Sequence, residues 1–237
     1  MRSGYWYFRD ANWSPDFPTA AKMAQYLFEV GQKQKVDGVI GIDDAVIKSI
    51  LDATGPVKLK GYDITVDASN ALEKLQYGLE ARYGTEDEAN LPPRKLFMKA
   101  LFQSLLERLQ NGLDAKAEVK LIQNLYLALD EKHLLLYFAD SQAQSLLQTN
   151  SWDGALRTAN GDFLMVVDSN VGFNKINPII DEALDYSVTL DDSGAQARLR
   201  IKYKNKSPAT GDSCVQAVRH TTYEEMHRGC YWDYLSV

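Results

Sequence analysis

The alternation of short apolar runs with amphipathic helical segments is the feature of this sequence that most constrains its fold. Three apolar runs have the length of a strand, and they cover residues 36–43, 134–139 and 161–168. Apolar residues recur at helical spacing between them, most clearly in segments 94–112 and 114–133. Strands that are apolar throughout are typical of a sheet that helices cover on both faces. The sequence therefore predicts an α/β fold, built as a layered α/β/α sandwich.

Capping and turn residues predict where several segments begin and end. Asp16 is placed to cap a helix that runs to Gly31. A second helix covers residues 44–55 and stops at a glycine. The aromatic residues 5–8 predict a short strand, and residues 56–66 predict extended chain.

The last part of the chain has a different pattern. Apolar and polar residues alternate on both sides of Asp-Asp-Ser-Gly at 191–194, which predicts a β-hairpin. Residues 231–237 predict one more strand. The predicted domains are an α/β core at 1–182 and a C-terminal antiparallel β appendage at 183–237.

Charge and hydropathy narrow the classes of partner. The formal net charge is −6 and basic residues form no stripe, so the chain is not expected to bind nucleic acid. No apolar run approaches the roughly 18 residues of a membrane span, and no apolar stretch of a signal peptide follows the N-terminus. The sequence also shows no Ser-His-Asp pattern, Gly-x-Gly-x-x-Gly loop or Walker loop.

The two cysteines, Cys214 and Cys230, are the main indication of where in the cell the chain is located. A disulfide between them would close a loop of roughly 15 residues and contribute about 3 kcal/mol in the chain-entropy model. The alternatives are two free thiols, or a zinc site that adds His220 and His227 with spacings that match no standard zinc finger. We favour the disulfide, which predicts an oxidising compartment outside the cytoplasm.

A polar loop near the N-terminus is the first candidate site. Arg9, Asp10, Asn12 and Asp16 all lie between residues 9 and 16. Arginine beside carboxylate and amide oxygens can bind a phosphate or hold a hard cation such as Mg²⁺. The alternative is a rigid loop in which the Asn and Asp side chains bond their own backbone.

Three more charged residues are candidates because of the segments they adjoin. Asp43 follows an apolar strand, at the end where parallel sheets of α/β proteins bind ligands, but it is also placed to cap the next helix. Arg82 and Arg94 flank an acidic loop. They either clamp a phosphate group together or pair with the acids of that loop.

The last candidate is the polar stretch that follows the apolar run at 163–167. Asp168, Asn170 and Lys175 lie there together with two further asparagines. Such a stretch is either a ligand site or a turn that its own asparagine side chains order. We favour the self-ordered turn, with Lys175 as the group to test for contact with an anion.

Several of these segments together resemble one family of bacterial envelope proteins. They are residues 9–21 (RDANWSPDFPTAA), 36–57 (VDGVIGIDDAVIKSILDATGPV), 133–156 (HLLLYFADSQAQSLLQTNSWDGAL), 163–177 (FLMVVDSNVGFNKIN) and 229–237 (GCYWDYLSV). On these motifs the chain resembles the DUF4012 family. That family is similar, more distantly, to the LytR-CpsA-Psr phosphotransferases, which move lipid-linked glycopolymers onto peptidoglycan.

The similarity to the phosphotransferases implies a pyrophosphate pocket in an α/β/α sandwich. Arg82 and Arg94 would face that pocket, and the loop at 9–16 would lie near its mouth. The acidic loop between the two arginines departs from the enzyme pattern, because its charge opposes a polyanion. The resemblance also implies that the first strands of the family domain and a membrane anchor lie outside this chain.

Two functional expectations follow. The first is an extracytoplasmic cell-envelope module, tethered to the membrane through a segment outside this chain, that binds a ligand or has a structural role without catalysis. Its expected partners are another protein chain or the N-terminal part of the same protein, and envelope glycopolymer or polyprenyl-phosphate lipid. The alternative is a Mg²⁺-assisted phosphotransferase that attaches lipid-linked glycopolymers to the cell wall.

Overall fold

Helices alternate with short strands in the first part of the chain, and antiparallel strands dominate the last part. The computed structural model describes residues 6–76, 93–157, 159–172, 174–192, 194–207, 214, 216 and 223–237. These residues form two units, of which the first extends to Phe163 and the second begins at Leu164. The predicted α/β class with a C-terminal β part is confirmed. The second unit begins upstream of the domain boundary predicted at residues 182–183.

The elements have the following bounds. The helices are α1 (Phe17–Gln32), α2 (Asp44–Thr54), α3 (Ala71–Gln76), α4 (Pro93–Gln110), α5 (Ala115–Asp130), α6 (Ser141–Thr149) and α7 (Tyr223–Met226). The strands are β1 (Gly38–Ile42), β2 (Val57–Lys58), β3 (Thr65–Val66), β4 (Leu134–Phe138), β5 (Val167–Asn170), β6 (Ile180–Asp191), β7 (Gly194–Asn205) and β8 (Asp233–Ser236). The described strands pair in twos, as β1–β4, β2–β3, β5–β8 and β6–β7, and each pair is antiparallel.

Helices cover both faces of the β1–β4 pair. On one face, Phe17 and Ala21 of α1 pack against Tyr137. On the other face, Leu134 packs against Val46 of α2 and Ala128 of α5. This small layered arrangement agrees with the predicted sandwich. The expectation that Asp43 follows a parallel strand is wrong, because β1 runs antiparallel to β4. An apolar run shows that a strand is buried on both faces and carries no information on its direction.

Glycine is required where α1 crosses β1. A Cβ atom added to Gly41 would lie 2.6 Å from the Phe17 ring, a separation that a real Cβ does not show. The missing side chain lets Phe17 lie directly on the strand. The helix that carries Phe17 ends one residue beyond the predicted Gly31, and Lys33 takes the left-handed conformation there.

The largest apolar cluster joins α2, α3 and α4 with the short β2–β3 pair. Its largest fully buried side chains are Leu51, Leu59, Val66, Phe97 and Leu101, each no more than 1% exposed. Burial of side chains of this size contributes about 1.5–3 kcal/mol each relative to exposure. The two-sided packing of α2 therefore fixes most of the first unit.

The loop after α6 buries a carboxylate. Asp153 is fully buried, and its Oδ1 atom accepts a hydrogen bond from the Arg157 guanidinium at 2.7 Å. A buried carboxylate needs such a partner, since removal of its charge from water is costly. Neither residue stands out in the sequence as a structural ion pair.

The second unit consists of two ribbons of strands. β5 pairs with β8, and β6 pairs with β7 in a long hairpin that turns at Asp191 and Gly194. The predicted hairpin and last strand are confirmed. One face of the hairpin carries Leu184, Tyr186 and other apolar side chains, and the opposite face carries charged residues such as Asp185 and Arg200.

Two strand predictions are wrong. Residues 8–10 form a single 3-10 turn, and no strand begins among the described aromatic residues 6–8. The run predicted as a buried strand at 161–168 becomes a strand only at Val167, and Phe163 is exposed. Both segments have strand-like side chains but no described partner strand at those positions, and a strand needs backbone pairing as well as propensity.

The buried ion pair makes a stability prediction. Replacement of Arg157 by Met should lower the free energy of unfolding by about 2 kcal/mol, because the Asp153 carboxylate then stays buried without its partner. Replacement of Lys35 by Met is the matched control, since its ion pair with Glu29 is exposed and should contribute less than about 1 kcal/mol. Urea unfolding measures both, and equal effects would contradict the prediction.

Candidate functional site

The polar loop at 9–16 is held by its own contacts. The Arg9 guanidinium lies 4.6 Å from the centre of the Tyr7 ring and 3.8 Å from the Asp10 carboxylate. Asp10 accepts a hydrogen bond from the Tyr7 backbone N–H at 3.0 Å, and Asn12 is exposed. These contacts are those of the rigid loop that the sequence offered as the alternative to a ligand site.

Asp16 is the N-cap of α1, as predicted. Its Oδ2 atom accepts hydrogen bonds from the backbone N–H and the hydroxyl of Thr19, and its Oδ1 atom accepts one from Leu156 N–H at 3.0 Å. Partial burial raises the pKa of Asp16, but the hydrogen bonds from Thr19 and Leu156 outweigh it and leave the pKa below its usual value. A metal ion at this carboxylate would compete with three donors.

Asp43 is the N-cap of α2 and also contacts a histidine. Its Oδ1 atom accepts from Ala45 N–H at 2.9 Å, and its Oδ2 atom lies 2.6 Å from Nδ1 of His133. The hydrogen bond to Asp43 raises the pKa of His133 above its usual value, because the carboxylate stabilises the imidazolium. This pair was not predicted from the sequence, although both residues adjoin predicted strands.

The stretch after β5 is a turn ordered by asparagine side chains. The Asn170 amide donates to Oδ1 of Asn174 at 2.8 Å and to Oδ1 of Asn177 at 2.7 Å, and its oxygen accepts from Gly172 N–H. The Asn174 amide donates to the carbonyl of Cys230. The Lys175 backbone N–H donates to the Met226 carbonyl at 2.7 Å. The hydrogen bonds are those expected of a self-ordered turn.

Asp168 belongs to a carboxylate–tyrosine cluster that the sequence analysis did not identify. The cluster consists of Asp168, Glu182, Asp233, Tyr203 and Tyr231. The Tyr203 hydroxyl donates to Asp168 at 2.5 Å, the Tyr231 hydroxyl donates to Asp233 at 3.4 Å, and the two rings lie 5.9 Å apart. Glu182 is opposite Tyr203 in the hairpin. The cluster therefore connects the β5–β8 and β6–β7 ribbons.

The three carboxylates of this cluster repel one another. Desolvation, followed by the charge of Asp168 and a hydrogen bond with it, raises the pKa of both Glu182 and Asp233. Desolvation and the neighbouring carboxylates also raise the pKa of Tyr203, and they raise that of Tyr231 to about 12. The phenols stay neutral donors, and Glu182 and Asp233 bind a proton more readily than ordinary carboxyl groups do.

One sequence signal could have located the cluster. Glu182 has the same strand parity as the apolar residues Leu184 and Tyr186, so it lies on the apolar face of the hairpin. A carboxylate on the apolar face of a hairpin is unusual, because it needs a hydrogen-bonding partner there. Tyr203 lies directly opposite Glu182 in the hairpin.

The predicted disulfide is confirmed. Cys214 and Cys230 are bonded to each other, with Cα atoms 5.7 Å apart. Both thiols are therefore unavailable to zinc, and the alternative zinc site with His220 and His227 is wrong. Within the described ranges, no three histidine, cysteine or carboxylate side chains are arranged to hold a metal ion. His220 itself lies outside the described residues.

The two arginines proposed for phosphate binding cannot be placed together. Arg82 lies outside the described residues, and so does the side chain of Arg94, whose backbone belongs to the first turn of α4. The described candidates are distributed over several elements. Asp16 and Asp43 begin different helices of the first unit, and Asp168 and Asn170 belong to β5 of the second unit.

The pair of Asp43 and His133 makes a titration prediction. Replacement of Asp43 by Asn should lower the pKa of His133 towards its usual value, because the carboxylate that stabilises the imidazolium is lost. Asparagine is also a good N-cap, so α2 should persist. NMR titration of His133 measures the shift. Replacement of Glu131 by Gln is the control and should lower the pKa of His133 less, since the Glu131 carboxylate lies 3.8 Å from the ring.

Stability should follow the same titration. A raised pKa in the folded state means that the Asp43–His133 contact stabilises the fold fully below the unfolded pKa of histidine, and that this stabilisation is lost as the pH rises through the raised value. The difference in unfolding free energy between the natural chain and the Asp43→Asn variant should shrink over that range. A pH-independent difference would contradict the assignment.

The carboxylate–tyrosine cluster should also lose stability as the pH rises, but here removal of a carboxylate should stabilise the fold. Folded-state pKa values of Glu182 and Asp233 are raised, so the folded cluster binds more protons than the unfolded chain and is destabilised as the pH rises. Replacement of Asp233 by Asn should therefore stabilise β6 and β7 at pH 7. The gain should vanish as the pH falls below the usual carboxyl pKa. Amide hydrogen exchange across the hairpin measures this.

A matched control lies on the charged face of the same hairpin. Replacement of Asp185 by Asn removes an exposed carboxylate that lies 3.8 Å from Arg200. It should change the stability of the hairpin little and should not stabilise it at pH 7. A similar gain from both variants would show that general charge, and not the cluster, is responsible.

Comparison with known proteins finds a family model that matches the first third of the chain. Residues 1–79 match the sequence model of a family described as protein of unknown function (DUF4012). The resemblance to that family is thereby confirmed for the region that holds the loop at 9–16, α1, β1 and α2. No curated protein and no solved structure matches the chain significantly. In the part of the chain that the structure describes, no helix has the length and apolarity needed to cross a membrane.

Proposed function

We propose that this chain is an extracytoplasmic module of the cell envelope that acts by binding, or as a structural part, and does not catalyse a reaction. The proposal rests on one observation: the candidate ligand groups of this chain already make hydrogen bonds that stabilise the fold. Asp16 and Asp43 cap helices, Asn170 orders a turn, and Asp168 accepts a hydrogen bond from a tyrosine. Each group has a local structural partner, and the groups are distributed over the starts of α1 and α2 and over β5.

The disulfide supports the proposed location. Cys214 and Cys230 are paired within one unit of a chain that has no other cysteine. Structural disulfides form and persist in oxidising compartments, which in bacteria lie outside the cytoplasmic membrane. The bond also reinforces the turn, because the Cys230 carbonyl accepts from the Asn174 amide. Export to an oxidising compartment, where this disulfide can form, would therefore stabilise the second unit.

The alternative, a Mg²⁺-assisted phosphotransferase, depends on groups that would have to converge. Its phosphate ligands would be Arg82 and Arg94, and its metal ligands would be Asp10 or Asp16. Asp10 and Asp16 instead accept hydrogen bonds from nearby backbone N–H groups. A metal ion would have to replace those bonds, which is a cost that a preformed metal site does not have.

Location and thiol state test the proposal. Protoplasts or spheroplasts of cells that produce the protein are treated with an external protease and with a thiol-alkylating reagent. We expect the chain to be cleaved while the membrane is intact, and both cysteines to be alkylated only after reduction. Protection from the protease together with two reactive thiols in the untreated protein would overturn the location.

The same protein tests the absence of catalysis. It is incubated with Mg²⁺, peptidoglycan and a glycan linked to polyprenyl pyrophosphate, and release of polyprenyl phosphate is measured. We expect no release above the background without protein. Release that is lost on replacement of Arg82 and Arg94 by Lys would instead establish the phosphotransferase, since lysine keeps the charge but loses the bidentate geometry.

A further inference from the structure

The outer edge of β1 differs from the other edge of its sheet. β1 and β4 form a two-stranded antiparallel pair, so each strand has one edge turned away from its partner. On the β4 side, Leu136 N–H donates to the Trp152 carbonyl at 3.1 Å, and Phe138 N–H donates to the side-chain oxygen of Gln144 at 2.9 Å. The β4 edge is therefore occupied by the chain itself.

The β1 edge has no corresponding partners. At the two ends of β1, the Asp37 carbonyl accepts a hydrogen bond from Ala139 N–H, and Asp43 N–H donates to the His133 carbonyl. By the alternation of an antiparallel ladder, the N–H and C=O groups of Gly38, Ile40 and Ile42 point away from β4. Within the described part of the chain, none of these six groups has a hydrogen-bond partner.

The side chains along this edge are apolar and accessible. Ile40 is 67% exposed and Ile42 is 44% exposed, and both lie on the sheet face that carries Leu134 and Leu136 of β4. Edge strands are usually protected by proline, lysine or a bulge. β1, with the sequence Gly-Val-Ile-Gly-Ile, has no proline or charged residue.

We propose that the outer edge of β1 binds an extended segment of a partner protein, which adds a strand to the sheet. This inference deepens the proposed function, on which it rests for the role of the module. The partner segment has β-branched residues at alternate positions, which pack beside Ile40 and Ile42, and Lys or Arg at its ends. Backbone hydrogen bonds supply the affinity in this mode of recognition, and alternate side chains supply the specificity.

The charges at the ends of β1 determine the chemistry of the partner. Asp37 precedes the strand, and Asp43 and Asp44 follow it, all three exposed. Nearby Lys35 is already paired with Glu29. The Asp43 carboxylate already contacts Nδ1 of His133 at 2.6 Å, so the charges that an added strand meets at its two ends are chiefly those of Asp37 and Asp44. They favour a segment with basic residues at its ends.

A second copy of this chain fits the edge poorly. Antiparallel pairing of two β1 strands about Ile40 would place Gly38 opposite Ile42 and form six backbone hydrogen bonds. The same register would place Asp37 of one copy opposite Asp43 of the other, at both ends of the pair. Like charges directly opposite each other destabilise paired strands. The edge therefore favours a different, basic segment.

Hydrogen exchange of single amides tests the proposal directly. The probe is the peptide Lys-Thr-Val-Thr-Val-Thr-Val-Thr-Lys at millimolar concentration, and NMR follows the amides of Gly38, Ile40 and Ile42. In the free chain these amides should exchange faster than those of Val39 and Gly41. The peptide should slow their exchange roughly tenfold or more. A peptide N-methylated at all Val and Thr residues should have no effect.

Variants at one position separate backbone pairing from hydrophobic contact. Replacement of Ile40 by Pro removes the outward N–H but no bond to β4, so the chain should fold and the peptide should lose its effect. Replacement of Ile40 by Thr keeps the N–H and should retain weaker protection. If the Pro variant does not fold, the comparison of the two peptides still decides the question.

Three results would overturn the proposal. Slow exchange of the three amides in the free, monomeric chain would show that the chain covers its own edge. Slow exchange with a doubled mass in light scattering would identify a second copy as the occupant. Fast exchange that the peptide does not change would show that the edge binds no strand. None of these results alters the location or the thiol state, so failure here is distinguishable from failure of the proposed function.

Discussion

The burial of α2 on two sides is the constraint on which the first unit depends. Ile47 and Leu51 pack into the large cluster with α4, while Val46 packs against β4 and α5. Ile50 contacts both clusters. A helix that is apolar on two sides must be covered by other elements on both sides. In this unit α3 and α4 cover one side of α2, and the β1–β4 pair with α5 covers the other.

Polar side chains from the neighbouring helices complete the packing of α2. The Arg108 guanidinium of α4 donates twice to the carbonyl of Thr54, at 3.1 and 2.9 Å, and the Asn124 amide of α5 donates to the carbonyl of Ser49. The Thr54 carbonyl lies in the last turn of α2 and has no partner within the helix, and a cation there also favours the helix dipole. Apolar burial and hydrogen bonding thus fix the same three helices.

Much of this could be predicted from the sequence, but the pairing of strands could not. The helices carry their own signals, since spacing, caps such as Asp16 and stops such as Gly55 are all local. Strand direction depends on the partner, which is distant in sequence, so β1 was expected in a parallel sheet and is antiparallel. Phe163 shows the same limit: its apolar neighbours have strand propensity, but the strand begins where β8 provides hydrogen bonds.

The candidate site was also only partly predictable, and for a related reason. Asp and Asn are good ligands for phosphate-bound metals, and they are also the best helix caps and turn formers. Residue type alone therefore could not distinguish Asp43 as a cap from Asp43 as a ligand, and it gave no indication of His133. The carboxylate–tyrosine cluster was missed because its members come from four strands and a loop that only the fold brings together.

Whether a polar group already has a hydrogen-bond partner distinguishes structural groups from groups available to a ligand more clearly than residue type does. The described Asp and Asn side chains of the helix caps and the asparagine turn have donors or acceptors close at hand, whereas the groups of β1 that lack partners are backbone atoms of Gly38, Ile40 and Ile42. Every residue carries the same backbone groups, so no sequence motif marks them. If this module works by recognition of a partner, its most available surface is one that a search for reactive side chains does not detect.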